Sequence, residues 1–491
     1  MQSEMQAIEA NKTWDVGVLP PKQKAIGLKW VFKVKKDPEG NVVKYKARLV
    51  AKGYARRYGV DFDEVYAPIA RLETVRVLLA LAAQGGWEVH HMDVKLVFLN
   101  GDLSETVYVQ QPLGFVVGTG DKVLKLRKAL YGLKQAPRAW NAKLDKELIA
   151  LGFVRSKLDH AVYRRSNRNS FLLVGVYVDD LIISGPNVRD INIFKSEMKK
   201  FSMSDLGLLS YYLGIEVKQG TDGITLCQSS YAAKILNNAG MSNCNKCETP
   251  MECRLKLSKL KDGESVNPTE YRSIIGSLRY LVNTRPDLAY SVGVVSRYME
   301  APGREHWAAV KHILRYLKGT LAYGYRYDKG AELKPMLVGY SDSDFVGDVE
   351  DRKSTSGVGY FLGSRLVTWA SQKQKIVALS SCEAEYVAAA CQGIWLNRLV
   401  ADMLGTRETT VKLLMDNMSA IALSKNPVHH DRSKHIDTKY HFLRECIEEG
   451  KVEVDHVGTA EQLADIFTKA LGRVRFIELG SALGVISVHL D

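Results

Sequence analysis

The chain has 491 residues, which at roughly 100–200 residues per domain predicts about three domains. Hydrophobic residues make up 46% and charged residues 25%, which excludes wholesale disorder, and no apolar run reaches the roughly 18 residues that span a bilayer. The net charge of +13 favours a polyanionic partner such as nucleic acid, although a merely soluble basic protein has the same balance. Seven scattered cysteines and a polar, acidic N-terminus unlike a secretory signal predict free thiols in a reducing compartment.

The first 190 residues alternate between β-rich and helical patterns. In chain order, the patterns predict a lysine-rich hairpin at Lys29–Lys36 and Val42–Lys52 around the turn formers 37–41, a helix at Thr74–Gln84, an extended segment at Glu88–Leu99, a helical region at Val123–Leu151 interrupted by Gly132 and Pro137, and two apolar strands within Phe171–Ser184. The last two strands meet at Asp179 and Asp180.

The rest of the chain divides into a helical middle and an α/β end. The helical patterns of the middle are Glu270–Met299 and Arg304–Leu317, which Pro268, Pro286 and Pro302 interrupt or bound. After them come, in order, predicted strands at Met336–Tyr340 and Gly357–Ala370, a long helix at Ser381–Leu404, a strand at Val411–Met415, a helix, a basic loop, a helix at Tyr440–Glu449, a strand at Lys451–His456 and a helix at Ala460–Ala470. This order indicates an α/β domain with a mixed sheet.

Acidic residues in apolar surroundings are the first candidates for chemistry. Asp93 lies in an apolar extended run, and Asp179 and Asp180 lie side by side at the tip of an apolar hairpin. Two adjacent carboxylates repel one another, and a divalent cation such as Mg²⁺ relieves that repulsion while binding substrate phosphates. A solvent-facing turn, where aspartate is common, is the alternative interpretation.

Several stretches closely resemble one family. They are KWVFK at 29–33, YKARLVAKG at 45–53, MDVK and FLNGDL within 92–103, LYGLKQAPRAW at 130–140, YVDD at 177–180 and YYLGIEV at 211–217. In this order they resemble the Pol polyprotein of copia-type LTR retrotransposons. The resemblance implies an RNA-templated DNA polymerase in which Asp93, Asp179 and Asp180 bind two Mg²⁺ ions while a primer 3′ hydroxyl attacks the α-phosphate of a dNTP.

The same resemblance implies substrate-binding residues. Phe98 is placed where related polymerases hold an aromatic ring under the sugar to exclude a 2′ hydroxyl, and core packing is compatible with that role. Gln135 resembles the residue beside the incoming nucleotide. Lys46, Arg48 and Lys52 are placed to meet the triphosphate or the template, with a solvated surface as the alternative.

One departure from the family lies just after Asp93. Where the family usually has threonine and alanine, this chain has Leu96 and Val97, which add bulk beside the metal site. A tolerated repacking and a lesion in a decaying copy both fit this change.

The C-terminal half holds a second set of acids, each of which alone could be a surface residue: Asp342, Glu385, Asp416 and Asp465. YSDSD at 340–344, DRKSTSG at 351–357, SSCEAEYVAAA at 380–390, LLMDN at 413–417, DRSKHIDTKYHF at 431–442 and EQLADIFTKAL at 461–471 resemble the copia-type RNase H. The resemblance implies that the four acids bind two Mg²⁺ ions and hydrolyse the RNA strand of an RNA–DNA hybrid, while His456 helps to release product or move protons.

Two of these acids have acidic neighbours that could replace them. Asp342 is preferred over Asp344 because it directly follows the predicted strand. Glu385 is preferred over Glu383 because an apolar run, YVAAA, follows it as in the family.

Two further clusters offer metal ligands. Cys244 and Cys247 form a CxxC pair with Cys253 nearby, but no second pair follows, so free thiols are favoured over a zinc site. The histidines at 429, 430, 435 and 441 lie among basic residues, where a patch that grips the phosphates of the hybrid is favoured over zinc or catalysis.

Together these features predict an α/β and α+β multidomain chain: a right-hand polymerase of fingers, palm and thumb, then a connection and an RNase H-like mixed-sheet domain. The expected boundaries are 1–255 for fingers and palm, 256–334 for thumb or connection, 335–475 for the RNase H-like domain and 476–491 for a C-terminal tail.

The expected function is to copy retrotransposon RNA into DNA and to degrade the RNA of the hybrid, with Mg²⁺ or Mn²⁺ as cofactor at two ions per site. The expected partners are RNA template, DNA primer, RNA–DNA hybrid and dNTPs, and no membrane. The expected location is the cytoplasm, within a virus-like particle in an intact element, or the nucleus. The alternative function is that of a catalytically impaired relic that only binds nucleic acid.

Overall fold

A computed structural model describes residues 1–36, 41–55, 59, 62–118, 122–167, 170–259, 265–330, 336–378, 380–388, 391–425 and 437–488. The chain divides into a first unit, Met1–Ala70, His90–Ile183 and Asn187–Gly207, and a second unit made of the remaining residues. None of the helices in the described ranges has the length and apolar character that crossing a membrane requires. Most of the predicted turn at 37–41, and the histidines at 429, 430 and 435, lie outside the described residues.

The helices and strands up to Leu208 follow one another in this order: α1 (Gln2–Ala10), β1 (Trp14–Val18), β2 (Leu28–Lys36), β3 (Val42–Ala51), α2 (Leu72–Gly85), β4 (Glu88–Val94), β5 (Asp102–Val109), β6 (Lys122–Lys128), α3 (Ala136–Ala150), β7 (Val154–Arg155), β8 (Val162–Asn167), β9 (Ser170–Tyr177), β10 (Asp180–Gly185), α4 (Val188–Glu197) and β11 (Met203–Leu208). The strands form a three-stranded sheet in the order β1-β6-β5, a two-stranded ribbon β2-β3, and a six-stranded sheet in the order β11-β4-β10-β9-β8-β7.

The six-stranded sheet is the frame of the first candidate site. Its central strands are buried without interruption over Leu172–Val176 in β9 and Leu181–Gly185 in β10. A strand buried on both faces needs a continuous apolar run, which is why these stretches lack polar alternation. Helix α3 adds Trp140, Leu144 and Leu148 to the same core. The acidic pair therefore interrupts the apolar sequence only where β9 turns into β10.

The prediction of a helical region over Val123–Leu151 is wrong for its first part. Strand β6 occupies Lys122–Lys128 and pairs with β1 and β5. Its leucines at 124 and 126 are buried, whereas Lys125 between them is exposed, which is the two-residue period of a strand. Helix α3 begins only at Ala136, with Pro137 in its first turn, where proline is favoured.

The elements of the second half follow in this order: β12 (Tyr211–Tyr212), β13 (Ile215–Gly220), β14 (Gly223–Cys227), α5 (Ser229–Asn238), α6 (Pro268–Leu281), α7 (Ala289–Val295), α8 (Arg304–Gly319), β15 (Tyr323–Asp328), β16 (Leu337–Ser343), β17 (Thr355–Leu362), β18 (Arg365–Lys373), α9 (Ser381–Ala388), α10 (Cys391–Leu404), β19 (Val411–Met415), α11 (Met418–Lys425), α12 (Asp437–Glu448), β20 (Val452–His456), α13 (Arg473–Ala482) and β21 (Val485–Ser487). The strands form two five-stranded sheets, in the orders β12-β13-β14-β15-β21 and β18-β17-β16-β19-β20.

The second of these sheets carries the second candidate site. Strands β16, β19 and β20 run parallel, while β17 and β18 are antiparallel, so the sheet is mixed as the sequence predicts. Helix α9 packs against β16 and β17. The carboxyl ends of β16 and β19 are adjacent, which brings Asp342 and Asp416 to one edge of the sheet.

Three segments of the second unit differ from the prediction. The single strand expected at Gly357–Ala370 is the hairpin β17–β18, which turns at Gly363 in the left-handed conformation (φ 62°). The helix expected at Ala460–Ala470 is two short 3₁₀ turns. By contrast, the helical region at Glu270–Met299 is interrupted at Pro286 as predicted and forms α6 and α7, because proline lacks the N–H that a continuous helix needs. The sequence predicts no element after residue 470, where α13 and β21 lie.

Candidate active sites

The first site is built by adjacent strands of the six-stranded sheet. Asp93 lies on β4, and the β9–β10 turn presents Asp179 and Asp180 beside it. The strands are held in register there, because the Val94 N–H donates to the Asp179 carbonyl over 2.9 Å. Burial raises the pKa of the Asp179 carboxyl, and the like charges of Asp180 and Asp93 raise it further. The three carboxylates thus share one electrostatic environment that a divalent cation would stabilise.

His91 belongs to this site, although the sequence analysis did not select it. Its Nε2 lies 2.8 Å from Oδ1 of Asp180, and its ring is buried on β4. His91 and Asp180 are 89 residues apart, so only the pairing of β4 with β10 brings them together. The bond fixes the orientation of one carboxylate of the acidic pair.

An aromatic and cationic group lies beside these acids. The Arg48 guanidinium stands over the Tyr131 ring at 4.6 Å, and the Tyr131 ring meets Phe98 edge-on at 4.9 Å. Burial raises the pKa of Tyr131, Arg48 lowers it, and the nearby charges of Asp179 and Asp93 raise it. Phe98 and Arg48 are therefore brought together with the acids, and Tyr131 is a further neighbour that the sequence analysis did not select.

Glycine makes this close approach possible. The Ala51 N–H donates to the Tyr131 carbonyl over 2.7 Å. Gly132 has a left-handed backbone (φ 89°), and a Cβ there would lie 2.2 Å from the Ala51 carbonyl oxygen. A Cβ at Gly53 would lie 2.1 Å from the Gly132 carbonyl oxygen. Any side chain at these positions would push the ribbon away from Tyr131.

Gln135 carries the clearest signal of a missing ligand. Its side chain is 2% exposed, and within the described part of the chain neither atom of its amide has a hydrogen-bond partner. A buried amide without partners is costly, because it gives up its bonds to water. This is the state expected of an amide whose partner is a bound molecule.

The two predicted lysines of the ribbon occupy different positions. Lys46 lies on β3 directly opposite Lys33, and Arg48 is on the same face of the strand. The Glu4 carboxylate lies within electrostatic range of both Lys46 and Arg48, so these cations already interact with one acid of the chain. Lys52 follows the strand, where its N–H donates to the Gly27 carbonyl over 2.9 Å.

The second site brings three predicted acids into contact. Carboxylate oxygens of Asp342, Glu385 and Asp416 all lie within 4.8 Å of one another, the one such acidic group among the described residues. Burial and the charge of Asp342 raise the pKa of Glu385 to about 10. The pKa of Asp416 is also raised, first by burial and then by Asp342. Oxygen ligands at this spacing suit Mg²⁺, so the residues present fit a divalent ion.

Asp465 joins this group together with a cation. Lys469 Nζ lies 2.6 Å from Asp465 Oδ1 and 3.9 Å from Asp342 Oδ2. Burial raises the pKa of Asp465 to about 6, although Lys469 opposes the shift. The Thr468 hydroxyl donates to Asp342. Lys469 is not among the residues predicted from the sequence, although its position four residues after Asp465 is a sequence signal for such an ion pair.

Gln374 ties two of the acid-bearing elements together. Its Nε2 donates to Ser343 Oγ over 3.1 Å and to the Ala384 carbonyl over 2.8 Å. The Ser343 N–H in turn donates to Glu385 Oε1 over 3.0 Å. The end of β16 and helix α9 are thereby fixed relative to each other, a role that no motif in the sequence indicated.

The remaining candidates lie at the margins of the second site. His456 ends β20 and is exposed, and its register partner on β19 is Met415, next to Asp416. Asp344 is not a member of the acidic group, and its carboxylate accepts a hydrogen bond from the Thr355 N–H.

The cysteine cluster makes contacts of another kind. Cys247 donates its thiol to the carbonyls of Thr249 and His312 at 3.4 and 3.3 Å, and both Cys244 and Cys253 are free thiols.

Comparison with known proteins connects these sites to a family. Residues 11–253 match the family described as reverse transcriptase (RNA-dependent DNA polymerase). The chain is 41% identical to the retrovirus-related Pol polyprotein from transposon TNT 1-94 of Nicotiana tabacum, over 97% of this chain and 37% of that protein. It is also 41% identical to the Pol polyprotein from transposon RE1 of Arabidopsis thaliana, over 99% of this chain and 34% of that protein. The chain thus spans about a third of the length of these relatives.

A shorter relative is covered almost completely. A transposon Ty5-1 protein of Saccharomyces cerevisiae is 35% identical over 61% of this chain and 98% of its own length.

Solved structures with a similar fold include the foamy viral protease-reverse transcriptase. Its dRH form in complex with double-stranded DNA matches 93% of this chain and 70% of that chain, with a TM-score of 0.51 and 14% identity. A second structure of the foamy viral protein, also with double-stranded DNA, matches 93% of this chain and 83% of that chain, with a TM-score of 0.50. At this identity the likeness concerns the fold, and it confirms the predicted class of polymerase fold followed by an RNase H-like mixed-sheet domain.

Proposed function

The chain belongs to the reverse transcriptase family of copia-type LTR retrotransposon Pol polyproteins, and on this basis we propose that it polymerises DNA on an RNA template and cleaves the RNA of the hybrid. The first unit carries the polymerase site and the second unit the nuclease site. The proposed partners are an RNA template, a DNA primer, their hybrid and dNTPs. The double-stranded DNA bound by the foamy viral protein supports a nucleic-acid partner for a chain with a net charge of +13.

In the polymerase site, the primer 3′ hydroxyl attacks the α-phosphate of a dNTP, and pyrophosphate leaves as the bond to the β-phosphate breaks. Asp93, Asp179 and Asp180 would hold Mg²⁺, which supplies positive charge to the reacting oxygens. Arg48 provides a cation for the triphosphate, and the Tyr131 ring holds its guanidinium in place. Phe98 fills the space beside the sugar.

Gln135 completes this site by offering hydrogen bonds to the nucleotide. Its amide is buried without a partner, so a nucleotide that bonds to it would remove the cost of that burial. Bound nucleotide would thus be oriented before reaction, which lowers the entropic part of the barrier.

In the nuclease site, water attacks a phosphodiester of the RNA strand and the strand breaks. Asp342, Glu385, Asp416 and Asp465 would hold Mg²⁺, which supplies the charge that makes this attack possible at neutral pH. Lys469 balances part of the acidic charge from its position between Asp465 and Asp342. His456, exposed at the end of β20, is placed to exchange protons with solvent.

The observation that carries this proposal is that each unit concentrates carboxylates, and that burial and the charges of neighbouring acids raise the pKa of one of them, Asp179 in the first unit and Glu385 in the second. Such mutual repulsion costs folding free energy and is retained where a cation is to be bound. The test is incorporation of dTTP on a poly(rA)–oligo(dT) template in Mg²⁺. Incorporation that is lost in Asp93→Asn supports the proposal. Tight hybrid binding without incorporation would instead support the alternative of a relic that only binds nucleic acid.

A further inference from the structure

The turn that carries the acidic pair contains a residue in an unfavourable conformation. Val178 lies between β9 and β10 with φ at 57°, in the left-handed region. A β-branched side chain is rarely found there, because its Cβ substituents crowd the backbone. Such a residue persists only where surrounding contacts hold it in place. What holds Val178 therefore also holds the two aspartates that follow it.

The contact that meets this turn comes from helix α3. The Trp140 indole donates its Nε1–H to the Val178 carbonyl over 2.7 Å. The next carbonyl, that of Asp179, accepts from the Val94 N–H on β4 over 2.9 Å. The two peptide groups that flank the Cα of Asp179 are thus each held by a hydrogen bond, one from α3 and the other from β4.

The indole is itself rigidly placed. Trp140 is 1% exposed, and its ring meets Phe201 edge-on at 5.5 Å with an interplanar angle of 89°. Helix α3 approaches closely because Gly101 has no side chain: a Cβ there would lie 2.7 Å from the Trp140 backbone nitrogen. A donor that cannot move fixes the carbonyl it binds.

We infer that Trp140 is a positioning residue of the polymerase site, which holds the turn in the left-handed conformation that aims Asp179 and Asp180 at the reacting phosphates. This inference rests on the proposed polymerase function. Because Trp140 is buried, it would act on the reaction only through the backbone of Val178. A purely structural role would require the ring alone, whereas the positioning role requires the N–H.

The test removes the N–H in two ways, of which one also keeps the bicyclic ring. In Trp140→Phe, and in a chain with β-(3-benzothienyl)alanine at position 140, where sulfur replaces the N–H, kcat for dTTP incorporation should fall about 10- to 100-fold. The KM for dTTP should change by no more than about twofold, and the Mg²⁺ concentration for half-maximal rate should rise several-fold. The Kd for a poly(rA)–oligo(dT) hybrid should stay unchanged. The benzothienyl chain keeps the shape of the core even if the phenylalanine variant folds poorly.

Rescue separates positioning from packing. Glycine adopts the left-handed conformation without steric cost, so Val178→Gly should make the turn less dependent on the indole bond. The double variant Trp140→Phe with Val178→Gly should extend primers at least about fivefold faster than Trp140→Phe alone. A packing defect at position 140 would not be repaired by this change.

A matched control exists in the second unit. The Trp369 indole donates to the Val282 carbonyl over 3.2 Å, so Trp369→Phe removes a bond of the same kind from a carbonyl that does not belong to the turn. Its extension rate should equal that of the wild type. If the wild-type chain extends primers and the position-140 variants match it, or if Val178→Gly gives no rescue, the inference is overturned and the proposed function stands. A wild-type chain that binds hybrid without extending it would overturn both.

Discussion

Glu385 lies buried among carboxylates that repel its charge, and this single residue links stability to function in the second site. With its pKa raised to about 10, it is protonated in the metal-free folded chain at neutral pH, whereas in the unfolded chain it ionises near its ordinary value of 4.5. Folding of the metal-free chain therefore requires Glu385 to take up a proton. The free-energy cost of this uptake grows as pH rises from about 4.5 towards 10.

Glu385→Gln should therefore stabilise the metal-free chain. The glutamine resembles the protonated acid in shape and has no charge to neutralise. The gain in unfolding free energy should be near zero at about pH 4.5 and reach at least about 1 kcal/mol at pH 8. Urea unfolding in EDTA at both pH values measures it, and adding Mg²⁺ should stabilise the wild type but not the variant. A gain that does not depend on pH would contradict the charge argument.

Phe98 lies at the polymerase site with partial burial, packed against the core and against Tyr131. If its ring excludes a ribose 2′ hydroxyl, Phe98→Ala should raise the ratio of kcat/KM for ribonucleotide over deoxyribonucleotide by roughly tenfold or more. Overall rate should fall because the sugar is held less firmly. Phe153→Ala is the control, since Phe153 lies in the same core and contacts Phe194. It should lower stability and leave the sugar preference unchanged.

The surroundings of Leu96 and Val97 favour a tolerated repacking over a lesion. Val97 is 1% exposed in the core that contains Trp140, and Leu96 has a left-handed backbone (φ 53°). The double variant Leu96→Thr with Val97→Ala should lower the free energy of unfolding by about 1–2 kcal/mol. The smaller alanine opens a cavity, and threonine is a β-branched residue in the left-handed region. Primer extension should not rise. A large gain in rate, with stability kept, would mean that the native pair impairs the site.

At the scale of elements, the ribbon β2–β3 concentrates cationic side chains. Lys33 and Lys46 stand directly opposite each other, and Arg48 lies on the same face of β3, so this face of the ribbon suits a polyanion. The ribbon is therefore where we expect the salt dependence of hybrid binding to originate.

The logarithm of the affinity for a hybrid should fall linearly with the logarithm of the salt concentration, because contacts to phosphates release counterions. Lys46→Gln should reduce the slope of that line by about one. The affinity should fall by a similar factor for hybrids of different base sequence. Lys24→Gln is the control, since Lys24 is exposed outside the ribbon, and its slope should equal that of the wild type. If the affinity of the wild-type chain for the hybrid did not change with salt concentration, the proposed role of the ribbon would be contradicted.

Element prediction succeeded where an apolar run had clear ends and failed where two elements shared an apolar stretch. The short apolar run Val411–Met415, which ends at Asp416, predicted strand β19 with its bounds. In Val123–Leu151, the apolar residues of β6 and α3 together imitated one helix, and only pairing with β1 reveals the strand. The 3₁₀ turns of Leu463–Phe467 escaped prediction because their apolar pattern is that of a helix.

At the scale of the whole molecule, motifs located the acids but not what holds them. Asp342, Glu385 and Asp416 could be selected from local sequence, and the structure brings them within 4.8 Å. His91 and Gln374 could not be selected, because each acts on a residue or element that only the folded chain brings near. Contacts between distant positions depend on strand order, which the sequence indicated only through its resemblance to a family.

The central claim is that two separate sites in two units perform two reactions. Asp180→Asn changes only the first and Glu385→Gln only the second, and each replaces a carboxylate by an amide of the same shape. Primer extension and cleavage of hybrid RNA, measured on the same preparations in Mg²⁺, test this directly. Asp180→Asn should abolish extension and keep RNA cleavage within about twofold of the wild type, and Glu385→Gln should do the reverse. Parallel loss of both activities in either variant would contradict the account.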